Sequence, residues 1–249
     1  MSIGPVIRTA KKAGKRILEL QGAVDTAWKA DSSPVTRADK EASQIIYESL
    51  HEESFGYVDE ERQRTGLLRN AWVVDPLDGT KEYIADSDEY TVNIARVEQG
   101  TPVLGVVYAP RKQKLYVYDG TKSSLEESGG RTKLSCQSPP LQKAVFTASK
   151  KHMDERVAAL MERAGASAVL RAGSSLKGCY VTEGRADVYV RIHNLHAWDI
   201  AAMHAVLRGA NGDLRPLRKK SYAYDDERVP SFVCGSKKTI QRVKAIYNE

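Results

Sequence analysis

Ala71-Trp72-Val73-Val74-Asp75-Pro76-Leu77-Asp78-Gly79-Thr80 decides how the chain is read: an apolar strand runs straight into a tight turn that carries two carboxylates. The Pro and the Gly fix the backbone, so Asp75 and Asp78 project from a strand end with little freedom. Two anions held that close need a cation. Carboxylate oxygens are hard ligands, which points to Mg²⁺ rather than zinc, and Mg²⁺ usually finds its remaining ligands on water and substrate phosphate. The exposed carbonyl of Leu77 and the hydroxyl of Thr80 complete an oxygen-rich corner. Asp-Pro and Asp-Gly are also ordinary turn formers, and this stretch by itself leaves both readings open.

Upstream, Asp59-Glu60-Glu61 follows a short apolar run, and a strand through Tyr57 and Val58 would let one of these acids face the same corner. Glu60, the first residue past that strand, is the best candidate. Asp31 to Asp39 reads as a turn feeding a helix that ends near Leu50, with Thr36 as N-cap. Asp39 then falls in the first turn, where the helix dipole favours a carboxylate, and this alone is a sufficient reason for it. Pro5 to Leu20 places Val6, Ala10, Ala13, Ile17 and Leu20 on one face of an amphipathic helix.

Downstream, Tyr90–Val97, Val103–Tyr108 and Leu115–Tyr118 read as a β-meander, and Gly120 to Pro140 as an irregular edge hairpin followed by a crossover. The lobe boundary is placed there, between 1–135, which would carry the metal site, and 136–249. The second half alternates strand 144–148, helix 153–164, helix 174–183, strand 186–192 and helix 199–207, a layered α/β pattern. Gly173-Ser174-Ser175 opens a helix with Lys177 one turn later, which serves equally as a cap or as an anion cradle. Asp199 stands at another helix start, where an N-cap role accounts for it.

With 249 residues, 41% hydrophobic and 28% charged, the composition is that of a globular protein with room for a large core. No run is long and apolar enough to span a bilayer, and the first residues lack a signal-peptide core, so a cytoplasmic location is expected. Cys136, Cys179 and Cys234 fit reduced thiols. The net charge of +6 invites a nucleic-acid reading. Basic pairs are interleaved with acids and show no aromatic platform, which argues against it.

The combination resembles the inositol monophosphatase superfamily of Mg²⁺-dependent, Li⁺-sensitive phosphatases, over nearly the whole chain. Its two most specific signatures stand here as Asp75-Pro76-Leu77-Asp78-Gly79-Thr80 and Trp198-Asp199-Ile200-Ala201-Ala202. The stretches from Tyr90 (YTVNIA), LGVVYAP, Gly173 to Lys177 and ADVYVR resemble its 3'(2'),5'-bisphosphate nucleotidase, CysQ-type branch. The resemblance implies an alternating αβαβα sandwich of the α/β class, the sugar-phosphatase fold. It implies Glu60, Asp75, the Leu77 carbonyl, Asp78 and Asp199 as ligands for two or three Mg²⁺ ions, with Glu61 as the alternative to Glu60. Asp39 and Thr80 would activate the attacking water; Asp78, Gly79, Thr80, His152, Ser174, Lys177, Arg191 and Asp199 would contact substrate. Asp59 replaces a usual Gly or Ser, and Lys150-Lys151-His152 a usual Arg-Ser-His; with His196, these departures bear on substrate preference.

The expected function is removal of the 3'-phosphate of adenosine 3',5'-bisphosphate, a small phosphorylated nucleotide, by a monomer or homodimer that engages neither nucleic acid nor membrane. An inositol or sugar phosphatase is the alternative within the class. A basic nucleotide- or nucleic-acid-binding protein without catalysis is the alternative outside it.

Overall fold

A computed structural model describes residues 2–22, 26–28, 34–150, 153–166, 168–193, 195–219 and 221–248. Its larger sheet has seven strands that lie side by side in chain order: Gly56–Asp59, Ala71–Asp78, Thr91–Glu98, Thr101–Ala109, Lys114–Tyr118, Ser123–Glu127 and Gly130–Lys133. The first pair is parallel and all the others are antiparallel. Both faces of this sheet are covered. Trp72 and Val74 point to one face and Ala71 and Val73 to the other, and all four are buried, which is why the Ala71–Asp78 strand reads as an unbroken apolar run.

The first face packs on the helices Ile3–Leu20 and Arg37–Leu50 through Val6, Ala10, Ala13, Ile17, Ala42 and Ile46. The second face packs on Leu176–Thr182 and Ala197–Gly209. The latter helix buries residues around its whole circumference, as a helix sandwiched between two sheets must. Beyond this helix pair lies a five-stranded sheet in the order Ala168–Arg171, Val145–Ala148, Val188–Arg191, Phe232–Ser236, Gly212–Pro216. Its outer face is closed by the helices Glu155–Arg163 and Lys237–Asn248, through Val157, Leu160, Ile240 and Val243. Five layers result, helix, sheet, helix, sheet, helix, as the resemblance implies. No described helix is long and apolar enough to cross a membrane.

Two local expectations are corrected, and one unassigned stretch is filled in. The hairpin after Gly120 is regular, pairing Ser124 with Lys133 through Glu127 with Gly130. Its turn residues Ser128 and Gly129 both adopt left-handed backbone, the two-residue turn that matches strand twist. Pro34–Thr36, expected inside a turn, pairs antiparallel with Thr26–Trp28, while Asp31 to Ser33 lie outside the described residues. The chain beyond Leu207 supplies three strands, Gly212–Pro216, Arg228–Val229 and Phe232–Ser236, and a helix that the sequence reading did not assign.

Candidate active site

The strand that opens the sequence reading carries a bulge. Asp75 pairs with Asn93 but Asp78 with Thr91, so three steps on one strand match two on the other. Asp75 and Asp78, three apart, would face opposite sides of a regular strand; the extra residue returns Asp78 to the side of Asp75. Pro76 has no N–H to contribute to the ladder, and Gly79 leaves the strand with φ +94, a conformation L side chains resist. Leu77 is buried rather than exposed, and its carbonyl oxygen lies 3.3 Å from the Thr80 hydroxyl.

Two helices each deliver one more acid in the same way. Asp39 is the third residue of its helix; Oδ2 accepts the N–H of Thr36 at 2.7 Å and its hydroxyl at 2.5 Å, while Oδ1 accepts the Thr80 hydroxyl at 3.0 Å. Asp199 is also third in its helix, with Oδ2 accepting the N–H of His196 at 2.7 Å. His196, not Asp199, is therefore the cap residue. The first-turn position expected for Asp39 is observed and the N-cap position expected for Asp199 is corrected; in both, one oxygen takes the cap residue's N–H and the other is left for the site.

Asp75, Asp78 and Asp199 bring ligand atoms within 4.8 Å of one another. Burial, then the charges of Glu60, Asp78, Asp199 and Asp39, hold the Asp75 carboxyl well above the usual carboxylate range. Asp199 is pushed up to about 7 by burial and then by Asp78, with Lys177 offsetting part of that. Burial also raises Asp39, against its hydrogen bonds from Thr36 and Thr80. Acids that raise one another form a cluster with unneutralised negative charge. The donor set is all hard oxygen, so a divalent cation fits it.

The Asp59 charge is directed elsewhere. Its Oδ2 accepts Ser43 at 2.8 Å and Tyr57 at 3.2 Å, and its Oδ1 accepts the Glu61 N–H at 2.8 Å, so it shapes the loop that presents Glu60.

A cavity of about 200 Å³ opens beside the acids, lined by Asp78, Gly79 and Asp199 and also by Ser174, Lys177 and Arg191. Lys177 is buried, with Nζ donating to the Ser174 carbonyl at 2.7 Å. Burial lowers its pKa. Arg191 keeps its Nε buried without a hydrogen-bond partner. At the start of the Leu176–Thr182 helix, left open between a cap and an anion cradle, the Ser175 N–H is taken by Asp78 Oδ2 at 2.6 Å and the Gly173 N–H by Glu89 Oε2 at 2.7 Å. His152 lies outside the described residues.

Sequence reasoning missed Asn93, whose amide donates to Asp78 Oδ2 at 3.0 Å and to the Ser175 hydroxyl at 2.9 Å. A buried Asn in an otherwise apolar strand was the available signal.

A sequence model of the inositol monophosphatase family matches residues 3–246. The chain belongs to the inositol monophosphatase family. Within it, the curated relative 3'(2'),5'-bisphosphate nucleotidase CysQ of Salmonella typhimurium is 37% identical over 230 residues, 88% of this chain and 92% of the relative. The CysQ of Buchnera aphidicola is 34% identical over 239 residues, 92% and 89%. The crystal structure of CysQ from Bacteroides thetaiotaomicron matches with a TM-score of 0.78 at 32% identity, over 94% of this chain and 96% of that one. The suhB protein of Bartonella henselae, at 21% identity and a TM-score of 0.83 over 99% and 98%, shares the fold. In this inositol monophosphatase family member the bulged strand and the Ala197–Gly209 helix are the elements that carry the two signature motifs.

Proposed function

We infer that this protein is a 3'(2'),5'-bisphosphate nucleotidase that hydrolyses adenosine 3',5'-bisphosphate to AMP and phosphate. The observation that carries the reading is one cavity with two chemistries: it is lined both by Asp78 and Asp199, which cluster with Asp75, and by two cations, Lys177 and Arg191. The CysQ relatives are named as 3'(2'),5'-bisphosphate nucleotidases. A substrate with two phosphates needs both halves.

Two or three Mg²⁺ ions would be held by Asp75, Asp78, Asp199, Glu60 and the Leu77 carbonyl. Bound there, they supply the charge neutralisation and water acidification that hydrolysis of a phosphate monoester requires. Thr80 donates to Asp39 Oδ1, so its oxygen lone pairs are free to accept a proton from the attacking water while its own proton passes to Asp39. A carboxylate whose pKa is raised by burial is the better acceptor. Water oxygen bonds to phosphorus as the bond to the 3'-oxygen breaks, and that oxygen takes a proton from solvent water, balancing the one that the attacking water gave up. Lys177, Arg191, Ser174 and His152 hold the rest of the nucleotide, and Gly79 lets the turn approach the phosphate. The enzyme is proposed to work in the cytoplasm as a monomer or a homodimer, on a small nucleotide rather than on nucleic acid or a membrane.

Phosphate release from adenosine 3',5'-bisphosphate and from inositol 1-phosphate, each with Mg²⁺, tests this. A kcat/KM at least tenfold higher for the bisphosphate is expected. A preference for the inositol ester would overturn the nucleotidase reading in favour of an inositol or sugar phosphatase.

A further inference from the structure

Glu89 is buried, 7% exposed, and stands just before the Thr91–Glu98 strand. One of its oxygens, Oε2, accepts the Gly173 N–H at 2.7 Å and the Lys150 ammonium at 3.1 Å. A carboxylate this buried needs both partners, since an unpaired charge in such a place is costly. The backbone is equally enclosed. A Cβ on Gly173 would come within 2.9 Å of the Glu89 carbonyl oxygen, and one on Gly79 within 3.2 Å of the same atom. Glu89 is therefore wedged between the turn that follows Asp78 and the loop that hands the Ser175 N–H to Asp78.

Lys150 and Gly173 line the same cavity as Asp78, Asp199, Lys177 and Arg191. The Lys150 side chain is 46% exposed, against 9% for Glu89, so one end of the pair is anchored and the other faces solvent. An ammonium has three donors, and Glu89 uses one. We propose that Glu89 is a positioning residue that pins Lys150 at the cavity mouth, where the ammonium binds the phosphate of the substrate that is not hydrolysed. Lys150 joins Lys177 and Arg191 as a third cation of that half-site, and it acts on substrates with a second phosphate rather than on the reacting one. This rests on the nucleotidase reading and deepens it.

The test compares adenosine 3',5'-bisphosphate with adenosine 3'-phosphate, which lacks the second phosphate. Lys150→Ala is expected to raise KM for the bisphosphate by about tenfold, as loss of a charge-assisted hydrogen bond does, and to shift KM for the monophosphate much less. Glu89→Gln keeps an oxygen for the Gly173 N–H but loses the charge, and should raise the bisphosphate KM by about threefold. Because Glu89 acts through Lys150, the double variant should be no worse than Lys150→Ala alone. Equal shifts for both substrates in Lys150→Ala, or effects that multiply in the double variant, would overturn the pairing. Lys150→Arg should recover most of the affinity. Calorimetric binding of adenosine 3',5'-bisphosphate to wild type and Lys150→Ala separates the two readings: if wild type binds but does not hydrolyse it, the nucleotidase reading fails, and equal affinity of the two proteins sinks the role of Lys150 by itself.

Discussion

Along the Ala197–Gly209 helix two buried carboxylate environments are built on opposite rules. In its first turn Asp199 faces Asp75 and Asp78, and the acids push one another's pKa upward. Further along, His204 Nε2 meets Asp213 Oδ1 at 3.0 Å, Arg215 Nε donates to Asp213 Oδ2 at 2.7 Å, and the Leu214 N–H adds a third bond at 2.8 Å. A carboxylate only accepts, so Nε2 carries the proton and the Tyr224 hydroxyl donates to Nδ1 at 3.1 Å. Burial, the largest single influence, pushes Asp213 up, but the His204 hydrogen bond, the neighbouring charges and the Leu214 N–H together hold it at about 2. One cluster is satisfied and belongs to stability; the other is unsatisfied and belongs to function.

Swapping one acid for its amide in each cluster should separate these roles. Asp78→Asn removes a charge from the crowded corner while keeping an oxygen for the Ser175 N–H, so the fold should persist and its metal-free stability should not fall. Turnover should drop on the order of a thousandfold or more, comparable with losing a group that stabilises developing charge. Near-normal turnover at saturating Mg²⁺ would remove Asp78 from the acid corner's chemistry.

Asp213→Ala should do the reverse. It strands a buried His204 and leaves Arg215 without this carboxylate, a change that costs about 3 kcal/mol or more. Urea unfolding should register that loss, while the folded fraction keeps its activity at low temperature. An Asp213→Ala protein of wild-type stability would mean that the pairing contributes nothing.

The difference between the clusters also marks what was legible in the sequence. Asp75 and Asp78 were readable because a Pro, a Gly and an apolar run within ten residues determine their turn. The bulge that turns them to one side was not, because it exists only in pairing with Thr91 and Asn93. Asp39 and Asp199 were readable as helix-start acids from local spacing, and that reading accounts for one oxygen of each. The partner of Asp39's other oxygen, Thr80, is 41 residues away, so its site role came from resemblance rather than from spacing. Glu89 and Asn93 were passed over for the same reason: their partners, Gly173 and Ser175, lie more than 80 residues on. The His204–Asp213 pair went unseen because the chain after Leu207 was left unassigned. The Gly212–Pro216 strand there is short, and its only strand partner among the described residues, Phe232–Ser236, begins 16 residues further on.

Mg²⁺ titration sharpens the comparison at a smaller scale. A ligand that binds only the folded acid corner stabilises it by about 2.7 kcal/mol at a hundredfold excess over Kd. Wild type and Asp213→Ala should show equal gains in Tm, whereas Asp78→Asn should show a reduced one. A gain preserved in Asp78→Asn would place the ion elsewhere.

The smallest expected effect is a pH slope, and its sign follows from the satisfied cluster. Burial lowers the His204 pKa below its ordinary 6.5, against the pull of Asp213, with Arg208 and Arg215 adding to the depression. Between 6.5 and that lower value the unfolded chain binds a proton that the folded chain refuses, so stability is fully present above 6.5 and is lost as pH falls. Asp213 acts in the same direction further down, since its folded value of about 2 lies below the ordinary 3.8. One proton contributes a slope of at most about 1.4 kcal/mol per pH unit. Urea unfolding of wild type and His204→Gln from pH 7.5 to 5.5 isolates this term, because both proteins carry the same acid corner and whatever that corner adds cancels in the difference. The wild-type curve should fall more steeply towards pH 5.5 than the variant's, whatever the variant's absolute stability. Parallel curves would mean that His204 takes up its proton as readily in the folded state as in the unfolded one, and the contrast between the two clusters would then rest on Asp213 alone.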